Sequence, residues 1–169
     1  MRSIYKIVVC SLLTLSITSC EKDLLEKEQY QKEIYLIGAY NRVWTTEVSY
    51  SNEEVKTYFT VSSSGTLALD RDVNVKMKIN EELVDIYNKK YWTVLNEDKY
   101  YKSLDTDLYS IPSLENTVIK HAEGISAEVP VLIKTASLKI DQSYVIPVEI
   151  ESTTGYPISE SGYKMLILL

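Results

Sequence analysis

The segment Val73-Asn74-Val75-Lys76-Met77-Lys78-Ile79 decides the fold class, because its odd positions are all apolar and its even positions are all polar. Successive side chains of a β-strand point to opposite faces, so this period of two predicts a strand with one buried and one solvated face. Six further segments have a similar pattern or are shorter strand candidates: residues 34–37, 55–61, 117–120, 129–133, 146–150 and 163–169. The sequence therefore predicts about seven strands.

A single helix interrupts the strand pattern. Asn80 is a suitable N-cap, and Leu83, Ile86 and Tyr87 fall on one face of a helix at the spacing i, i+3, i+4. We predict a short crossover helix over about residues 81–90.

Turn-forming residues separate the strand segments. They lie at residues 62–65, 123–124 and 152–155. Many short strands at such spacing favour two packed antiparallel sheets. The sequence predicts an all-β fold, an antiparallel β-sandwich over residues 34–169.

Residues 1–19 predict a lipoprotein signal peptide. Two basic residues precede an apolar stretch at 7–17, which is too short to cross a bilayer as a stable helix. The segment Ile17-Thr18-Ser19-Cys20 resembles the lipobox of bacterial lipoproteins, which implies cleavage before Cys20 and attachment of a diacylglycerol to it. The alternatives are an ordinary secretory leader with an unmodified Cys20, or a retained membrane anchor.

Residues 20–33 predict the lipidated cysteine and a polar tether, either a short helix or a flexible chain. Glu21-Lys22-Asp23 resembles the signal that exports lipoproteins of Bacteroidetes to the cell surface. We therefore expect a protein anchored by lipid in the bacterial outer membrane and displayed on the cell surface.

Charge and cysteine content exclude two classes of interaction. The formal net charge is −6 and the longest basic run is Lys89-Lys90, whereas nucleic-acid binding needs clustered cations. Nucleic acid is therefore excluded as a partner. Cys10 lies in the predicted signal peptide and Cys20 is the predicted lipidation site, so we expect no disulfide in the mature domain.

Several segments, in this order, resemble the Bacteroidetes lipoprotein domain of unknown function 1735. They are Val73–Ile79 with Leu83 and Tyr87-Asn88, Tyr100-Tyr101, Ile119 with Gly124, Tyr144–Ile150, and Ile158-Ser159 with Tyr163–Met165. The resemblance implies an immunoglobulin-like sandwich on the cell surface, encoded in a polysaccharide-utilisation system. In this family the domain stands at the N-terminus of surface glycan-binding proteins and of some endoglycosidases. Because the chain ends with the last predicted strand, we expect a stand-alone domain without the module that carries their chemistry.

The sequence predicts no enzyme, no metal site and no cofactor. His121 is the only histidine and no Gly-x-Ser-x-Gly motif is present, so we interpret it as a solvated residue at a strand end. One histidine without cysteines in the mature domain cannot form a zinc site. The acidic residues show no glycosidase pattern. Asp105-Thr106-Asp107 offers oxygens to calcium, but Asn116 stands where a calcium loop needs glutamate.

Five aromatic residues after the predicted helix are the candidate ligand-binding residues: Tyr91, Trp92, Tyr100, Tyr101 and Tyr109. Exposed rings can stack on the apolar face of a sugar, while Asn96 and Asp98 nearby could bond its hydroxyls. The alternative is that these rings are ordinary core or edge-strand residues.

The leading functional hypothesis is a non-catalytic surface lipoprotein that assists glycan capture, by binding polysaccharide or oligosaccharide or by supporting other outer-membrane uptake proteins. The alternative is a structural or assembly subunit of a surface complex with no glycan affinity.

Overall fold

The computed structural model describes residues 27–169, which contain ten strands, one α-helix and three short 3₁₀ helices. The strands are β1 (Ile34–Leu36), β2 (Val43–Thr45), β3 (Glu54–Ser63), β4 (Val73–Ile79), β5 (Lys102–Ser103), β6 (Tyr109–Ser110), β7 (Thr117–Ile119), β8 (Ser126–Lys134), β9 (Tyr144–Thr153) and β10 (Lys164–Leu168). The helix is α1 (Glu82–Tyr91), and the 3₁₀ helices are Ala39–Asn41, Val94–Lys99 and Thr135–Ser137. The predicted signal peptide, the predicted lipidation site Cys20 and the first part of the tether lie outside the described residues.

The strands form two sheets. The first sheet has the order β1-β3-β8-β6, with every pair antiparallel. The second has the order β2-β10-β9-β4-β7, and β5 also pairs with β9. The all-β sandwich is therefore confirmed, and all seven predicted strands are present. Two pairs of the second sheet, β10 with β2 and β5 with β9, are parallel, which the antiparallel prediction did not include.

The core lies between the two sheets, as the alternating pattern predicts. In β4, Val73, Val75 and Met77 are at most 1% exposed, whereas Asn74, Lys76 and Lys78, which each follow one of them, are exposed. The main core combines both sheets; its largest buried side chains include Phe59, Ile133, Ile146 and Met165. A smaller apolar cluster lies under α1 and consists of Leu83, Val84, Val145 and Leu166.

The helix begins at Glu82, one residue later than predicted, with Glu81 in the N-cap position, but Asn80 still bonds its first turn. The Asn80 carbonyl accepts a hydrogen bond from the Leu83 amide at 3.1 Å, and its side-chain Oδ1 accepts one from the Glu82 amide at 3.2 Å. These bonds satisfy amides that have no partner within the helix. The amide of Trp92 donates to the Asn88 carbonyl at 2.9 Å, and Trp92 itself is extended, which ends the helix.

The described part of the predicted tether lies against the loop after β3. The Glu28 carboxylate accepts hydrogen bonds from the amides of Thr66 and Leu67, and the Ser64 amide donates to the Glu33 carbonyl at 2.9 Å. The pKa of Glu28 is lowered to about 2, first by the hydrogen bond from Lys32 and then by that from Thr66. Within residues 27–169, no helix is long and apolar enough to cross a membrane.

Candidate functional site

Three of the five predicted aromatic residues line one groove at the end of α1. Tyr91, Trp92 and Tyr100 share a cavity of about 380 Å³ with Lys89, Lys90, Thr93 and Val94. We call these three rings the aromatic shelf. Tyr91 is 48% exposed, so at least part of its ring is open to a ligand.

The backbone after α1 brings these rings together. Trp92 leaves the helix in an extended conformation, and the 3₁₀ helix Val94–Lys99 then turns the chain. Asn96 has non-helical backbone angles within this turn, and its side-chain amide donates to Thr93 Oγ1 at 3.1 Å. The turn returns the chain so that Tyr100 lies beside the residues at the helix end.

Tyr101 belongs to the packing beneath the shelf. Its ring is half-buried and stacks on Tyr87 with centroids 5.3 Å apart, and Tyr87 in turn contacts Tyr91 at 4.5 Å. The buried Asn88 side chain accepts a hydrogen bond from the Tyr101 amide at 3.0 Å and donates one to its carbonyl at 2.9 Å. Tyr101 also lines the acidic groove described below.

Tyr109 lies apart from the shelf, on β6 in the first sheet. Its half-buried ring packs against the main core. Its hydroxyl is buried and has no hydrogen-bond partner among residues 27–169. Burial, and secondarily the charge of Glu81, raises the pKa of Tyr109 to about 12. The sequence could not separate Tyr109 from the other rings, because all five lie in one short stretch.

Two lysine ammonium groups lie over rings of the shelf. Lys90 Nζ lies 5.4 Å from the centre of the Tyr91 ring, and Lys99 Nζ lies 5.9 Å from that of Trp92. A cation at such distances is attracted to the electron-rich ring face. The lysines also supply N–H donors next to the apolar ring surfaces.

An acidic groove adjoins the shelf. It has a volume of about 760 Å³ and includes the carboxylates of Glu81, Glu82, Asp85 and Glu97. Tyr100 is one of the three rings of the shelf and also lines this groove, so the shelf and the acidic groove form one continuous surface along α1.

A second cleft, which sequence reasoning missed, lies on another side of α1. It has a volume of about 250 Å³, and its lining includes Tyr40, Arg42, Tyr87, Tyr163 and Lys164. We call it the tyrosine cleft. Its residues come from the 3₁₀ helix Ala39–Asn41, α1 and the start of β10, which are far apart in the sequence. Only the tertiary fold brings them together.

His121 is the second residue after β7, with its side chain about half exposed. Its Nδ1 is 2.6 Å from the Asp72 carboxylate, and this contact lowers the pKa of Asp72. Among residues 27–169, no three His, Cys, Asp or Glu side chains are grouped to hold a metal ion.

A family model described as an N-terminal domain matches residues 30–157, well over half of the chain. The chain belongs to this family. Solved structures of Bacteroides proteins share the fold. One of them is a multidomain protein including domain of unknown function 1735 from Bacteroides ovatus, with a TM-score of 0.60, 17% identity, and coverage of 82% of this chain and 44% of that one. The resemblance noted in the sequence is thereby confirmed.

Two more structures from Bacteroides ovatus are similar to this chain. A protein of unknown function has a TM-score of 0.67 and 17% identity, over 82% of this chain and 45% of its own. A candidate carbohydrate-binding protein has a TM-score of 0.61 and 19% identity, over 80% of this chain and 36% of its own. At these identities the likeness concerns the fold, and this chain spans less than half of each of these proteins. No curated protein matches the chain.

Proposed function

We propose that the protein is a non-catalytic accessory protein of a polysaccharide-utilisation system, which binds a glycan on the aromatic shelf. The observation that carries this proposal is the groove formed by Tyr91, Trp92 and Tyr100, which Lys89 and Lys90 also line. Ligand sites combine apolar and aromatic walls with a few polar groups that fix orientation. A sugar presents a flat apolar ring face and a rim of hydroxyls, which this surface complements.

The comparisons support the class of function. A candidate carbohydrate-binding protein shares the fold, but the similarity covers only 36% of its length. That similarity supports glycan binding as the class of function. It does not locate a binding site, which we infer from the geometry of the shelf.

We place the protein at the outer membrane, anchored by lipid on Cys20 and exposed on the cell surface. The lipobox-like segment before Cys20 and the acidic residues after it support this location. Lipid anchoring would hold the shelf close to the outer-membrane proteins that take up oligosaccharides, which we propose as protein partners.

Affinity electrophoresis of the purified protein in gels containing different polysaccharides tests glycan binding. We expect one or more glycans to retard the protein, and Tyr91→Ala to weaken this binding at least tenfold. Tyr50→Ala is the matched control, because Tyr50 is also an exposed tyrosine, at 64%, but does not line the groove. Equal losses in both variants, or no retardation of the folded protein by any glycan, would contradict the proposal. Release of reducing sugar from a bound glycan would contradict the non-catalytic part.

A structural or assembly subunit is the second candidate function. Val94 and Leu95, beside the shelf, are 76% and 93% exposed. Adjacent exposed apolar side chains favour contact with another protein surface. Under this alternative, Leu95→Ser would weaken co-purification with an outer-membrane partner, and no glycan would retard the protein.

A further inference from the structure

The tyrosine cleft places two unpaired cations next to aromatic walls. Arg42 and Lys164 both line it, and neither forms an ion pair with any carboxylate among residues 27–169. Lys164 Nζ lies 4.8 Å from the centre of the Tyr163 ring. Glu160 is the acidic residue of the lining, and it too forms no ion pair within the described chain. The two cations are therefore available to an external anion.

Arg42 has an unusual backbone conformation for an arginine. Its φ of 66° and ψ of −18° are left-handed, and no other residue except glycine has a positive φ within residues 27–169. Its amide donates to the Ala39 carbonyl and its carbonyl accepts from the Leu166 amide, both at 2.8 Å. These bonds impose the conformation, which glycine would adopt without strain. Residues with a strained backbone concentrate at binding sites. Arg42 is such a residue, and it lines the tyrosine cleft.

We propose that the tyrosine cleft binds an anionic sugar unit, a hexuronate, through Arg42 and Lys164. Guanidinium groups bind carboxylates by two parallel N–H donors, and the lysine adds a second positive charge. The apolar face of the sugar ring would lie against the tyrosine walls, with Glu160 and Ser161 available to its hydroxyls. This proposal concerns a different site from the aromatic shelf, and its choice of a sugar as the ligand rests on the proposed glycan-binding function.

The size of the cleft agrees with one sugar unit. Its volume of about 250 Å³ is below the range of roughly 300–1,000 Å³ that drug-sized ligands occupy. A single ring of an oligosaccharide can therefore enter while its neighbours remain outside.

Isothermal titration of the full-length protein with charged and neutral forms of one oligosaccharide tests this inference. The probes are tetragalacturonate and its methyl ester, together with a glucuronate oligosaccharide and its ester, which keep the ring and remove the charge. We expect at least one acid to bind ten or more times as tightly as its ester, equivalent to about 1.4 kcal/mol. Added salt should reduce this preference, because it screens the charges.

Variants locate the site. Arg42→Gln and Arg42→Gly should both abolish the preference for the acid. The glutamine variant keeps the backbone strain and the glycine variant removes it. A loss of preference in both variants therefore cannot be explained by a folding defect that arises from this strain. Arg71→Gln is the control, because Arg71 is exposed, pairs with Asp70 and does not line the cleft. Tyr91→Ala should leave the preference unchanged, which separates this site from the shelf. Equal affinity of acid and ester for both sugars, or equal losses in the Arg42 and Arg71 variants, would overturn the inference.

Discussion

Arg42 has left-handed backbone angles, with φ of 66° and ψ of −18°. We expect Arg42→Gly to raise the free energy of unfolding by about 0.5–1 kcal/mol, because the left-handed conformation costs a residue with a Cβ about 1–2 kcal/mol and glycine's extra chain entropy offsets part of that gain. Urea unfolding at neutral pH measures the change. Arg42→Ala removes the same side chain but keeps the strain, so it should bring no such gain. If alanine stabilises the protein as much as glycine, the strain is not the cause.

Tyr109 predicts a pH dependence at alkaline pH. Its pKa is raised from an ordinary value of 10.0 to about 12, so the folded protein favours the neutral phenol. The resulting stability is complete below about pH 10 and is lost as the pH rises to about 12. We expect Tyr109→Phe to lose less stability than the wild type over that range, measured by urea unfolding at several pH values. Tyr50→Phe, at an exposed residue, should follow the wild type; a parallel decline of Tyr109→Phe and wild type would disprove the effect.

The individual aromatic residues also mark a limit of sequence reasoning. Tyr91, Trp92 and Tyr100 line one groove, while Tyr101 stacks on Tyr87 and Tyr109 packs against the core. Tyr100 and Tyr101 both line the acidic groove, but only Tyr100 belongs to the shelf. The sequence identifies the stretch of rings, but the backbone of Tyr101 is bonded to Asn88, thirteen residues away, and such a contact cannot be read from the stretch itself.

At the level of elements, α1 fixes the chain that forms the shelf. The buried Asn88 side chain binds both backbone groups of Tyr101, so its removal leaves an amide and a carbonyl without partners. We expect Asn88→Ala to lower the free energy of unfolding by about 1–3 kcal/mol. Urea unfolding tests this, with Lys89→Ala on the exposed face as the control, expected to change stability by no more than about 0.5 kcal/mol. Equal effects in the two variants would show that the Asn88 bonds do not support this region.

Burial at alternate positions explains which strands the sequence could predict. The short strands β1 and β7 have three residues each, and both bury their first and third side chains. The missed strands β2, β5 and β6 have two or three residues and contain no buried side chain, so they show no apolar period. The two parallel pairs both involve one of these short strands, β2 or β5, so the same limit explains why the sequence predicted only antiparallel pairing. The helix could be predicted because Asn80 and the apolar face of the helix are both local features of the sequence.

At the level of the whole molecule, the alternation that predicts buried faces does not determine which strands are neighbours. Register and order depend on contacts between distant segments, such as β3 with β8 and β4 with β9. The tyrosine cleft depends on the same long-range assembly. Related structures share this fold over less than half of their length. Function therefore has to be argued from sites on the fold rather than from the fold itself.

Anchoring of the whole protein depends on one residue in our proposal. We expect Cys20→Ser to move the protein from the membrane fraction to the soluble fraction, because acyl chains supply the membrane affinity. Fractionation of the producing cells followed by immunoblotting measures this. Cys10→Ser is the matched control, since Cys10 lies within the segment expected to be removed, and it should stay with the membrane. Retention of Cys20→Ser in the membrane would contradict a lipid anchor at this residue.

Tryptophan fluorescence tests glycan binding on the shelf most directly. The chain has two tryptophans, so Trp44→Phe leaves Trp92 as the single reporter and Trp92→Phe leaves Trp44. Both variants are titrated with a glycan that retards the protein in affinity electrophoresis. We predict a saturable change in the emission of Trp92 and none in that of Trp44. A bound glycan that leaves the emission of Trp92 unchanged would contradict the shelf as the binding site.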